Sequence, residues 1–145
     1  MRLTSFTDFG LRALMRLAGD PERVFTTDEI ARTFGISRNH LTKVIRELAT
    51  ADIVATHRGA GGGFRLARPA DDITLGEIVR ALEARSALAE CFRRDGGACV
   101  LTPECRLKGK LKAARGAFLE ELDRTTLAEC AYPAPGKAPR RRIAA

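Results

Sequence analysis

Phe6, Phe9, Ala13, Leu14 and Leu17 recur at helical spacing until Gly19, Asp20 and Pro21 interrupt them, which predicts a first helix. A second follows at once. Thr26 with Glu29 three residues on has the form of a capping box, in which each side chain satisfies the other residue's free backbone N–H, and Ile30, Ala31 and Phe34 turn inward before Gly35 ends the element. Ser37 is placed to cap a third helix with the apolar stripe Leu41, Val44, Ile45 and Leu48. The pattern then changes. Ile53 to Thr56 and Phe64 to Ala67 are short β-prone runs on either side of Gly59, Ala60, Gly61, Gly62 and Gly63, and they predict a two-stranded hairpin.

Thr74 and Glu77 repeat the capping-box spacing and open a short helix with Leu75, Ile78, Val79 and Leu82 on its inner side. Residues 84 to 102 show no period. Thr102 before Pro103 reads as a helix start, and Leu107, Leu111, Ala114, Phe118 and Leu122 form a stripe on a helix too long for this small domain to cover. That face is expected to pack against a second copy of the chain. From about Ala131 the sequence is basic and proline-rich, and a disordered tail is expected. There is no internal repeat.

Composition narrows the picture only slightly. A chain of 145 residues has room for one core plus an arm, and its 45% hydrophobic and 30% charged residues are those of a folded protein. The formal charge of +7 favours a polyanionic partner. Asp8 and Arg12 break up the apolar residues near the N-terminus, and no apolar run reaches the length of a membrane span, so neither a secretory signal nor a membrane is expected and the expected location is cytoplasmic.

The two helices joined through Gly35 have the proportions of a helix-turn-helix. Opposite its apolar stripe the second of them displays Arg38, Asn39, His40, Thr42, Lys43 and Arg46, side chains able to bond base edges or phosphates of double-stranded DNA. Arg58, Arg65 and Arg68 flank the glycine-rich turn of the hairpin, where missing side chains let the backbone approach a sugar-phosphate wall. A solvated helix face and a loose hairpin are the bland readings of the same residues. His40 and His57 read as polar surface groups. The fold class expected is mainly α with a small β-hairpin wing: a winged helix-turn-helix plus a long dimerisation helix.

Cys91, Cys99 and Cys105 fall in the aperiodic stretch, with Gly96 and Gly97 giving it freedom to wrap. A reducing compartment argues against disulfides, and thiolates are the soft ligands that iron-sulfur clusters and zinc select. The spacing lacks the close cysteine pair of most structural zinc sites. A cluster, zinc and a thiol redox switch all stay open on chemistry alone, and Cys130 reads as a bystander.

Five stretches, LTSFTDFGLRAL, ISRNHLTKVIREL, RGAGGGFRLARP, CVLTPECRLK and FLEELDRTTLAEC, resemble the Rrf-type family of bacterial winged-helix regulators over residues 1 to about 132. Within that family the likeness is greater to the nitric-oxide-sensing NsrR branch than to the cluster-assembly IscR branch, whose histidine after the last cysteine is replaced here by Leu107 and Lys108. The resemblance implies a homodimer and an iron-sulfur cluster on Cys91, Cys99 and Cys105, with the 4Fe-4S form favoured and 2Fe-2S the alternative. It also implies Asp8 as a fourth, harder and weaker ligand, reaching from the partner subunit. Without the resemblance Asp8 reads as an acid favouring the positive end of the first helix.

The domain division expected is therefore residues 1–83 for the winged helix-turn-helix, 84–105 for a cluster-binding loop, 103–130 for the dimerisation helix and 131–145 for the tail. The function expected is a non-enzymatic repressor that releases operator DNA when nitric oxide attacks its cluster. A regulator responding to iron or cluster supply is the alternative. An electron-transfer iron-sulfur protein is the rival of another class, and it would have no use for a basic reading helix.

Overall fold

Three threonines start three of the helices. Thr4, Thr26 and Thr74 each accept a hydrogen bond from the backbone N–H three residues on, at 3.3, 3.2 and 3.1 Å. In the computed structural model, which describes residues 2–101 and 104–132, they begin α1 (Ser5–Ala18), α2 (Thr27–Phe34) and α4 (Leu75–Leu82). Between the last two lie α3 (Arg38–Thr50) and an antiparallel hairpin of β1 (Val54–His57) and β2 (Gly63–Leu66); α5 (Arg106–Asp123) comes last.

The expected capping boxes at α2 and α4 are only half made. The Glu29 carboxylate pairs with Arg23 at 2.6 Å, and that of Glu77 pairs with Arg68, so neither turns back to its cap. A nearby guanidinium is the stronger partner for a carboxylate than a neutral amide. Ser37 occupies the N-cap of α3 without a side-chain bond. A full box occurs instead at Thr126 and Glu129, within the last turns of the helix expected over 103–130.

The core lies where α1, α3 and α4 meet, with Leu14, Leu41, Val44, Leu48 and Ile78 fully buried. Gly10 permits the close approach: a Cβ there would run into the Leu82 side chain and lie 3.2 Å from Val44 Cγ1. The hairpin is fastened beneath this core by Phe25, whose backbone exchanges hydrogen bonds of 2.9 and 2.8 Å with Phe64. Both strands sit one residue away from the expected runs, because the bond from Gly62 N–H to Gly59 O closes the turn and pairs His57 with Gly63. Gly59 and Gly61 adopt positive φ there, a conformation glycine takes without steric cost.

The expected helix over 103–130 is shorter at both ends. Its first helical residue is Arg106, Thr102 and Pro103 lie outside the described residues, and it stops at Asp123 because Thr126 starts a separate 3-10 turn over Leu127–Cys130. That turn belongs to the core. Leu127 is fully buried and its N–H donates to Ile73 O at 2.8 Å. Along α5 one edge faces α4, where Arg80 holds Asp123 at 2.5 and 2.7 Å, and no residue of the helix is buried. The basic tail expected over 131–145 lies outside the described residues beyond Tyr132. No helix among the described residues is long and apolar enough to cross a membrane.

Leu127→Ala tests whether the segment after α5 closes the core. A fully buried leucine cut to alanine costs about 2 to 5 kcal/mol, so urea denaturation should show a lowered midpoint with an unchanged slope. A midpoint equal to the wild type would mean that this turn is only draped on the domain.

Candidate nucleic-acid interface and cysteine loop

All six outward residues of α3 are exposed, as the apolar stripe requires, but they are not equivalent. Arg38 is paired with Asp28 at 3.0 Å, the Thr42 hydroxyl donates back to Arg38 O at 2.9 Å, and His40 stacks on Phe9 of α1 with centroids 6.4 Å apart. Asn39, Lys43 and Arg46 remain. At spacings of four and three they line one stripe, and none has a side-chain hydrogen bond or ion pair among the described residues. These three are the outward side chains of α3 without a partner among the described residues.

On the wing, Arg65 points away from the buried pair Phe64 and Leu66, following the two-residue alternation of a strand. Arg58 is exposed at the end of the turn, and His57 beside it is exposed too. Arg68 does not join them. It is partly buried, donates to the carbonyls of Asp52 and Asp72 and pairs with Glu77, which makes it a brace between the hairpin and α4.

Sequence spacing gave no sign of two further features near α3. Arg85, just past α4, pairs with Glu47 on the flank of α3 at 3.1 Å while its own side chain stays 81% exposed. Glu83, the C-cap of α4, is buried and accepts at one oxygen from Thr4 N–H (2.8 Å), Thr4 Oγ1 (2.8 Å) and Thr7 Oγ1 (2.5 Å). Burial pushes its pKa up, and hydrogen bonds from Thr7, Ser86 and Thr4 outweigh that and hold it below the ordinary glutamate value. Both contacts join residues far apart in the chain, so no local pattern announces them.

The four cysteines are free thiols, each partly exposed. Cys91 sits in a 3-10 turn over Glu90–Phe92, Cys99 in the irregular stretch after Gly97, and Cys105 at the N-cap of α5, where its sulfur makes no capping bond. Asp8 lies in the first turn of α1 and is paired with Arg12 at 2.8 Å. Among the described residues no three His, Cys, Asp or Glu side chains are gathered closely enough to hold a metal ion. By chemistry the thiols fit an iron-sulfur cluster. By position Cys91, Cys99, Cys105 and Asp8 are not brought together within the single chain.

A short helix, a glycine turn, an exposed polar helix and an arginine-bearing hairpin define a DNA-binding winged helix-turn-helix. The family model described as Rrf2, an iron-dependent transcriptional regulator, matches residues 3–132, and the chain belongs to that family. Among solved structures it is similar to CymR, the global cysteine regulator of B. subtilis, with 31% identity over 90% of this chain and 96% of that one at a TM-score of 0.69. It is likewise similar to T. potens IscR, with 28% identity over 89% and 85% at 0.68, and to Staphylococcus aureus CymR, with 26% identity over 90% and 98% at 0.67.

Glu83 makes stability depend on pH in a defined direction. A carboxylate whose folded pKa is depressed contributes fully above its ordinary value of 4.5, and the contribution is lost as pH falls through the lower folded value. Glu83→Gln should therefore unfold at lower denaturant than the wild type at neutral pH, and the gap should narrow as the pH falls below that range. A gap independent of pH would show that the charge is not what Thr4 and Thr7 hold.

Proposed function

We propose that this regulator is a homodimeric repressor that grips operator DNA through α3 and the wing and lets go when nitric oxide attacks an iron-sulfur cluster carried by the loop between α4 and α5. The observation behind the reading is one juxtaposition. The loop with the three thiols is rooted two residues beyond the contact that ties α4 to the first turn of α1, and it touches the reading helix through Arg85 and Glu47. Cys91, Cys99 and Cys105 would hold the cluster, with Asp8 as the weak fourth ligand. When bound, such a cluster supplies iron that reacts with nitric oxide, and the 4Fe-4S form is favoured over 2Fe-2S. The chain's own part is to present three soft donors on one loop and one hard, displaceable carboxylate on a neighbouring helix. Arg12, paired with Asp8 at 2.8 Å, holds that carboxylate in place on the first turn of α1.

Support for the nitric-oxide signal comes from the resemblance to NsrR-type sequences. The second reading, a regulator answering to iron or cluster supply, is favoured by the family's iron-dependent description and by the similarity to IscR. Both readings place the protein in the cytoplasm, on DNA, with no chemistry performed on a substrate.

The dimer is supported by α5. Leu107 is 62% exposed and Phe118 36%, an apolar edge that a lone subunit leaves in water. The helix carries Arg106, Lys108, Lys110 and Lys112 toward its start and Glu120 and Glu121 toward its end, against the sense its own dipole prefers. A second copy lying antiparallel sets each basic half beside an acidic one. Phe118→Asp should accordingly sediment as a monomer and lose most duplex affinity, since a dimer engages two half-sites at once. A monomeric wild type would defeat this part of the proposal.

Anaerobic purification followed by absorption and Mössbauer spectroscopy tests the cluster. The wild type should carry it, Cys99→Ala should lose it, Cys130→Ala should keep it, and Asp8→Cys should slow the reaction with nitric oxide. Nitrosylation of Asp8→Cys at the wild-type rate would return Asp8 to a purely helical role. A full cluster in Cys99→Ala would overturn the ligand assignment, and a cluster indifferent to nitric oxide would favour the supply-sensing reading.

A further inference from the structure

We propose that Arg85, on the cysteine-bearing loop, is itself a contact to the DNA backbone, so that the sensing loop forms part of the surface it regulates; the inference rests on the reading of α3 as the DNA-reading helix. A groove of about 600 Å³ runs along the flank of α3 between α1 and α4, and its walls include Lys43, Arg46, Glu47 and Arg85. Lys43 and Arg46 belong to the exposed stripe left without partners among the described residues. Glu47 is the difficulty on that flank. A bare carboxylate beside Arg46 would repel a phosphate approaching the same helix.

Arg85 removes the difficulty and adds to the site. Its guanidinium reaches Glu47 Oε1 through one nitrogen, 3.1 Å away, which neutralises the acid and leaves the remaining donors of the planar fork directed elsewhere. With the side chain 81% exposed, those donors face solvent at the edge of the groove that Lys43 and Arg46 also line. The patch therefore holds three cations against one acid, and the geometry of a guanidinium suits the paired oxygens of a phosphodiester. Arg85 lies only six positions before Cys91, with the exposed Ala84 behind it and no regular element between it and the turn that holds that cysteine. A rearrangement of the loop thus moves a DNA contact directly, without passing through the core.

The two roles open to Arg85 predict different things. If it only pins the loop to α3, then Arg85→Ala and Glu47→Gln break the same bond and should weaken DNA binding alike. If it touches phosphate, Arg85→Ala should weaken binding while Glu47→Gln, which removes a repelling charge and keeps the arginine, should bind as well as the wild type or more tightly.

The experiment is a salt titration by fluorescence anisotropy of the 145-residue chain on a mixed-sequence duplex of about 30 base pairs, roughly three helical turns. Each neutralised phosphate contributes about 0.9 to the slope of log affinity against log salt. Arg85→Ala should be shallower by about that amount, Arg85→Lys and Glu47→Gln should keep the wild-type slope, and Arg46→Ala reports on α3 independently. Equal weakening by Arg85→Ala and Glu47→Gln, or a wild-type slope in Arg85→Ala while Arg46→Ala is shallower, overturns the inference and leaves the reading of α3 intact. A wild type that binds no duplex overturns both.

Discussion

One carboxylate oxygen, Glu83 Oε1, collects three hydrogen bonds from the first turn of α1 and thereby fixes where α4 ends. A buried charge left without such donors is costly, so the joint is made as a whole or not at all. Three things hang on it. The first turn of α1 carries Asp8, the end of α4 releases the loop with Cys91, Cys99 and Cys105, and α3 packs on both helices through Leu41, Val44 and Leu48. A shift at this joint would move Asp8, the root of the cysteine loop and the seat of the reading helix together.

The contacts that reach α3 from outside its core side are few and specific. His40 rests on Phe9, one residue from Asp8, and Glu47 holds Arg85, at the root of the cysteine loop. These are exposed, low-cost contacts. Surface ion pairs of this kind contribute about 0 to 1 kcal/mol, so this contact can break at little cost to the fold. Stability resides elsewhere, in the buried stripe of α3, in Phe25 against Phe64 and in Leu127. Separating a rigid core from weak flank contacts gives the domain a way to alter its DNA surface without unfolding.

The helices and the hairpin were legible because their signals are local. Apolar spacing, Thr caps and the glycine run are read within a few residues of where they act, and α1, α2, α3 and α4 appear close to where that spacing puts them. The failures share a cause, which is competition from partners outside the helix or strand in which each residue was read. Glu29 and Glu77 gave up their caps to arginines, Arg68 was drawn from the wing into a brace, and Phe25 joined the hairpin across a long span of chain. The long helix was read too far because the stripe that ends at Leu122 carries no stop signal of its own, and the Thr126 box that opens a separate turn was not recognised. On α3 the sequence identified the exposed residues correctly. It did not show that Arg38, His40 and Thr42 also make contacts within the protein, or that Arg85 comes into the same surface from another segment.

In the proposed mechanism the state of the cysteine loop governs the grip of α3 and the wing on DNA. The most direct measurement is duplex affinity of the anaerobically purified chain before and after titration with nitric oxide, at one fixed salt concentration, with an iron chelator as the parallel arm. Nitric oxide should lower that affinity at least about tenfold, or roughly 1.4 kcal/mol. Affinity that stays the same under both treatments would contradict the mechanism.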